Sequence, residues 1–274
     1  MFKAPMTTDD IMRLALLMVG LPSIPHDSGI HVPGNGIRKV LFALDVDTGV
    51  LMAAKQMGYD AVIAHHPVGS SAITFPVVLD QHIPQMMEAG VPEDAARQAI
   101  VAIKEKREVA AHAANNHHVD SIARLIGMPL LNIHFPLDQI GRIRMMNAIS
   151  THAGDQPSVE KVIEALYTLQ EFRESDVPIA VRMGSETNMA GKMAISHGAG
   201  TNGGVDVARA YFNAGVETLI QIHVNYEDLV KIRAYPEPRN LIITGHVASD
   251  LLGINPFIEE LEKRGVTVDR VSGL

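Results

Sequence analysis

Apolar positions along this chain follow two alternating rhythms. Unbroken apolar runs in RKVLFALDVD (38–47) and DAVIAHHP (60–67) read as strands buried on both faces. Between them, TGVLMAAKQMGY (48–59) has helical spacing, with Thr48 placed to cap it and Gly58 closing it. The N-terminal MFKAPMTTDDIMRLALLMVG reads as an amphipathic helix capped near Thr8 or Asp9, and the Pro- and Gly-rich stretch 21–37 as a loop. Residues 76–127 are mostly helical in pattern. Pro92 falls just inside one helix, and NHHVDSIARLIG ends another at Gly127. MPLLNIHFPLD (128–138) returns to strand character, and Pro136 argues against helix across 134–138.

The rhythm then repeats. SVEKVIEALYTL, GVDVARAYFNAG and YEDLVKIRAY read as helices. VPIAVRMG, KMAISHGAG, ETLIQIHV, NLIITGHVASD and VTVDRV read as strands, with helix resuming over 249–262. The stretches 140–157 and 170–176 read as connectors. This alternation predicts an α/β protein with largely parallel or mixed sheets. The division falls near 145, giving an N-terminal half (1–145) and a second half (146–274).

Composition narrows the chemistry. The 274 residues are 47% hydrophobic and 20% charged, which suits a folded core. A net charge of −8 argues against a dedicated nucleic-acid binder. With no cysteine, any metal must be held by imidazole, carboxylate, amide or backbone oxygen. The apolar run of the first helix follows Asp9 and Asp10 and is broken by Arg13, so it does not read as a signal peptide. No run is long enough to span a membrane, and a cytoplasmic location is the expectation.

Three strand ends carry the candidate chemistry. The first ends in His65–His66, the second leads into His134 and Asp138, and the third into His246 and Asp250. Ligands in α/β sheets gather beyond the carboxyl ends of strands. If these ends converge, several imidazoles and two carboxylates supply what two divalent cations need. On this reading a turn joins His134 to Asp138, and Asp250 lies in the first turn of its helix.

Other residues keep two readings. Asp45 and Asp47 point into the same cleft or cap the following helix. GAGTNG (198–203) has the formal spacing of a dinucleotide fingerprint but lacks the acidic residue after the next strand. It reads as a tight turn or an anion subsite, with Gly198, Gly200, Asn202 and His197 facing substrate. His223 and Glu227 line a cleft wall or merely end a strand. His117 and His118, or His112 with Asn116, compete for a ligand role. His26, His31, His82 and His152 read as surface residues.

VIAHHPVG, NIHFPLDQ and ITGHVASD, in this order, resemble the Nif-three-like family, also described as GTP cyclohydrolase I type 2 homologues. The resemblance implies two related αβα halves with a metal cleft between them. It implies metal ligands at His65, His66, Asp138, His246 and Asp250, with His134 as an additional ligand or supporting group. Asp250 stands where the family usually has Glu, and the interval from His66 to Asp138 is longer than usual. Toroidal hexamers are common in such proteins.

The function expected is a hydrolase with two divalent metal ions (zinc, manganese, iron, nickel, cobalt or magnesium). A metal-bound hydroxide would attack a nucleotide or other phosphorylated small molecule. The alternative is a non-catalytic metal-binding regulatory or scaffold protein. The expected partners are a small-molecule substrate and further copies of the chain, not a membrane or nucleic acid.

Overall fold

A computed structural model describes the protein from residue 4 to residue 274. Along the chain the elements are α1 (Thr8–Met18), β1 (Gly29–Val32), β2 (Lys39–Ala43), α2 (Thr48–Gln56), β3 (Ala61–Ala64) and α3 (Gly69–Thr74). A 3-10 segment (Phe75–Gln81) leads to α4 (His82–Glu88), α5 (Glu93–Ala99), α6 (Val101–Ala113) and α7 (His118–Ile126). Then come β4 (Leu130–Asn132), α8 (Phe135–His152), α9 (Val159–Leu166), α10 (Gln170–Arg173), β5 (Ala180–Met183) and β6 (Met193–Ser196). The chain finishes with α11 (Gly204–Asn213), β7 (Thr218–Gln221), α12 (Tyr226–Arg233), β8 (Asn240–Ile243), α13 (His246–Lys263) and β9 (Thr267–Val271).

Two compact units result, both discontinuous in sequence. The first takes in the chain up to Val78, Arg107–Ile140 and Gly253–Leu274; the second takes Leu79–Lys106 and Gly141–Leu252. The first unit has a five-stranded sheet in the order β1-β4-β3-β2-β9, and the second a four-stranded sheet in the order β5-β8-β7-β6. In both, one edge strand (β1 or β5) is antiparallel and the other strands are parallel. The order β5-β8-β7-β6 repeats β1-β4-β3-β2 strand for strand, so the two units are related.

Each sheet is buried on both faces, as its unbroken apolar strands require. Along β2, Val40 and Phe42 pack with α1 and α13, through Ile11, Met12, Phe257 and Leu261. The alternate residues Leu41 and Ala43 pack with α2 and α7, through Leu51, Val119 and Ala123. In the second unit, Ile195, Ile220 and Ile242 pack with α8 and α9. Leu219 and Leu241 pack with α4, α5 and α11. Each unit is an αβα sandwich.

Several boundaries differ from the sequence reading. Thr7, not Thr8 or Asp9, caps α1, in a capping box with Asp10. Asp47 rather than Thr48 caps α2, accepting from the Val50 N–H at 2.8 Å. Pro92 sits just before α5 rather than inside it. Residues 21–37 include β1, whose polar neighbours disguise four residues that pair with β4. The 140–157 stretch is helical to His152, and 170–176 contains the short α10. Pro136 does not prevent helix, because it falls in the first turn of α8, where an N–H has no intrahelical partner to lose. For α13 the helix starts three residues before 249, so Asp250 is its fifth residue.

Candidate metal centre

In the first unit, β3 ends at Ala64 and delivers His65 and His66; β4 ends at Asn132 and delivers His134. One ring nitrogen from each of these three histidines lies within 4.8 Å of the others. His65 is fully buried, His134 nearly so, and His66 is half-buried. Asp138 is buried one turn into α8. Its carboxylate lies 3.2 Å from His65 Nε2 and 3.7 Å from His134 Nε2. The early start of α8 puts His134 and Asp138 four residues apart on one helical face, without the special turn the sequence reading invoked.

The orientation of the rings follows from their other nitrogens. His65 Nδ1 is 3.0 Å from the Ile133 carbonyl. His66 Nδ1 is 2.8 Å from the Asp45 carboxylate, and His134 Nδ1 is 2.7 Å from that of Asp27. A carbonyl or ionised carboxylate can only accept, so all three Nδ1 atoms carry the proton. In the neutral ring each Nε2 then offers its lone pair. Carboxylates and carbonyls behind the rings commonly orient histidines for metal binding in this way.

Of these supporting groups, Asp45 was legible in the sequence, whereas Asp27 and Ser28 were missed. Asp27 is fully buried. Ser28 Oγ accepts from the His134 N–H at 3.0 Å. No local pattern marks either residue. The signal lies in the register of β1 on β4: Gly29 faces Asn132, and two residues further out Asp27 comes level with His134.

The second unit repeats the motif. β8 leads into α13, whose first residue is His246, and His246 Nε2 lies 3.3 Å from Asp250 Oδ2. Asp250 is buried. His223 follows β7 as His66 follows β3, and its ring centroid is 4.8 Å from that of His246. The long helices match as well. Gly141 lies seven residues after His134, and Gly253 seven after His246. A Cβ on Gly141 would come within 3.0 Å of the Ser249 carbonyl oxygen, and one on Gly253 would collide with the Leu137 carbonyl. In each unit the glycine admits the backbone that immediately precedes an aspartate of the motif.

Asn202 is buried; its Oδ1 accepts from the Gly204 N–H at 3.0 Å and its Nδ2 donates to the His223 carbonyl at 2.7 Å. Gly198 and Gly200 have left-handed φ values of 66° and 80°, so they form the tight turn before α11. Glu227 is exposed in the first turn of α12. His117 Nδ1 is 3.1 Å from Asp120 Oδ2, and exposed His118 bonds the Asn115 carbonyl. Half-buried Asn116 donates through Nδ2 to the Ala111 and Ala114 carbonyls, and His112, near the end of α6, is exposed. Burial opposes ionisation of Asp120, but hydrogen bonds from His117 and Arg124 outweigh it and hold the carboxyl below its usual range. Two histidines read as surface residues are not. His31 is bonded to Asn132 at 2.9 Å, and burial lowers its pKa. His82 is fully buried, which lowers its pKa to about 4.

Fold and side chains together define an α/β protein of two related αβα units that carries histidine groups fit to bind metal. The Duf34/NIF3 (NGG1p interacting factor 3) family matches residues 25–271, and the chain belongs to it. A NIF3 superfamily protein from Sphaerobacter thermophilus is 44% identical, with a TM-score of 0.96 over 99% of this chain and 100% of that one. Reduced HcgD from Methanocaldococcus jannaschii has the same fold at 14% identity, with a TM-score of 0.59 over 98% of this chain and 99% of that one. TTHA1606 from Thermus thermophilus is 17% identical, with a TM-score of 0.54 over 97% and 98% of the two chains. No curated protein matches the chain. Among the described residues, no helix is long and apolar enough to cross a membrane.

Proposed function

We propose that this protein is a hydrolase that uses two divalent cations on a nucleotide or another phosphorylated small molecule. The proposed ligands are His65, His66, His134, Asp138, His246 and Asp250. One observation carries the reading: three clustered histidines have Nδ1 committed to an acceptor, so each presents Nε2 as its metal-binding nitrogen. The donor set is nitrogen and carboxylate oxygen, which suits zinc, manganese, iron, cobalt or nickel. Asp138, set against two Nε2 atoms, would hold a cation together with His65 and His134. The duplicated His-x-x-x-Asp pair is the second unit's proposed contribution.

Cations so bound acidify water and offset negative charge on the substrate. The chain's own part is to orient and to move protons. Asp27 and Asp45 fix the rings of His134 and His66. A carboxylate of the site would take the proton from the attacking water. Gly198, Gly200, Asn202, His223 and Glu227 form the proposed substrate side. The same reading includes self-association into a toroidal hexamer, which the family resemblance implies, and action in the cytoplasm.

The test is elemental analysis of protein purified without a His-tag, followed by metal-loaded assays on nucleotides and phosphoesters. Two metal equivalents per chain, lost in His66→Ala, together with turnover above a chelator-treated control, are the expected results. Bound metal without turnover on any substrate would refute the hydrolase and leave a metal-binding protein.

A further inference from the structure

The second unit contains a cavity of about 330 Å³ beside the edge strand β6, between α4, α8 and α11. It shares no residue with the proposed metal ligands. Its walls are largely apolar and include the flexible thioethers of Met146 and Met193, which adapt to varied shapes. A cavity of this size accepts a molecule of modest dimensions.

Two of its lining residues each carry a buried polar atom without a hydrogen-bond partner among the described residues. One is Gln85 Oε1. The amide nitrogen of Gln85 donates to the His197 and Gly198 carbonyls at 2.8 and 2.9 Å, which fixes the side chain. The other is the hydroxyl of Tyr211, a residue with no exposed surface. Burial pushes the Tyr211 pKa up, so the phenol stays protonated and can donate. A buried acceptor and a buried donor left unmet are both unfavourable.

The charged groups of the cavity already satisfy each other. Arg142 donates to Glu88 at 2.9 Å, and its Nε donates to the Ile195 carbonyl at 3.3 Å. An ionic ligand would have to break that pair, whereas a neutral one would not. What Gln85 and Tyr211 lack in common is one group that both donates and accepts, such as an amide or a hydroxyl.

We infer that this cavity is a binding site for a small neutral molecule with an apolar body and one amide or hydroxyl head. The head donates to Gln85 Oε1 and accepts from the Tyr211 hydroxyl, and the body lies against Met146 and Met193.

The test uses the full chain labelled with ¹³C at the methionine methyls, titrated with benzamide, benzyl alcohol, toluene, benzoate and benzylammonium. Substitutions Met146→Leu and Met193→Leu assign the two reporter signals. Benzamide and benzyl alcohol are expected to shift both signals saturably, in the millimolar range typical of such small probes. Toluene and the two ions are expected to bind more weakly by about fivefold or more, the worth of a single hydrogen bond. Tyr211→Phe, which removes one oxygen, is expected to weaken benzamide binding by a similar factor, and Ala194→Leu to abolish it by filling the cavity. If Tyr211→Phe does not fold, Ala194→Leu and the ligand order still decide. The inference is overturned if neither signal saturates with benzamide or benzyl alcohol. Toluene or benzoate binding as tightly as benzamide overturns it too, as does benzamide binding that survives Ala194→Leu.

Discussion

His134 takes its orientation from a residue more than a hundred positions earlier. Asp27 accepts from Nδ1 at 2.7 Å inside a fully buried environment, so the ring has one orientation and one tautomer. Asp27→Asn keeps the shape and removes the charge. Loss of such a supporting group typically lowers metal affinity about 10–100-fold. A chelator competition assay on folded protein measures this, and an unchanged affinity would show that Asp27 has no such role. His82, which is not among the proposed metal ligands, allows a separate test. Its pKa is about 4 in the fold against an ordinary value of 6.5, because burial disfavours the charged ring. The unfolded chain therefore binds more protons between these values, and stability falls as pH drops from about 6.5 toward 4. At about 1.4 kcal/mol per unit, the loss approaches 3 kcal/mol. Urea unfolding across this range should show the slope, and His82→Leu should flatten it.

Elements meet closely where glycine permits it. Gly253 in α13 brings that helix against the backbone of Leu137 in α8, where an added Cβ has no room. Gly253→Ala is therefore expected to destabilise the protein by about 3 kcal/mol, the upper range for overpacking, even though alanine favours helix. A urea midpoint at or above that of the parent would contradict the close approach. The strands and most helices were legible because apolar periodicity is local and strong in runs such as AVIA and LLN. The strand ends bearing His65, His66, His134 and His246 were legible for the same reason. What escaped depended on pairing across the sequence. β1 is half-buried along its whole length, so GIHV has no apolar face to announce a strand. Pro136 misled because its effect depends on which turn of the helix it occupies. Asp27 was invisible until β1 had a register, and buried His82 had no motif to distinguish it from a solvated residue.

At the scale of the molecule, one strand pattern is used twice and then extended once. β9 has no counterpart in the second sheet; it pairs in parallel with β2 from Lys39–Thr267 to Ala43–Val271. Tyr59 and Lys39 reinforce it through Asp269, at 2.7 and 3.6 Å. Val266, just before it, is buried in the core shared by α1 and α13. A chain ending at Gly265 should lose about 3 kcal/mol or more of stability, since Val266 and partly buried Val268 would leave the fold. A urea midpoint equal to that of the full chain would show that the strand is dispensable. The placement also has a consequence for biosynthesis. β2 emerges from the ribosome early, and its permanent neighbour is not made until translation reaches Thr267. Throughout that interval the nascent protein exposes a bare sheet edge, the kind of surface that recruits strands from other chains. Its need for chaperone protection is therefore greatest during elongation.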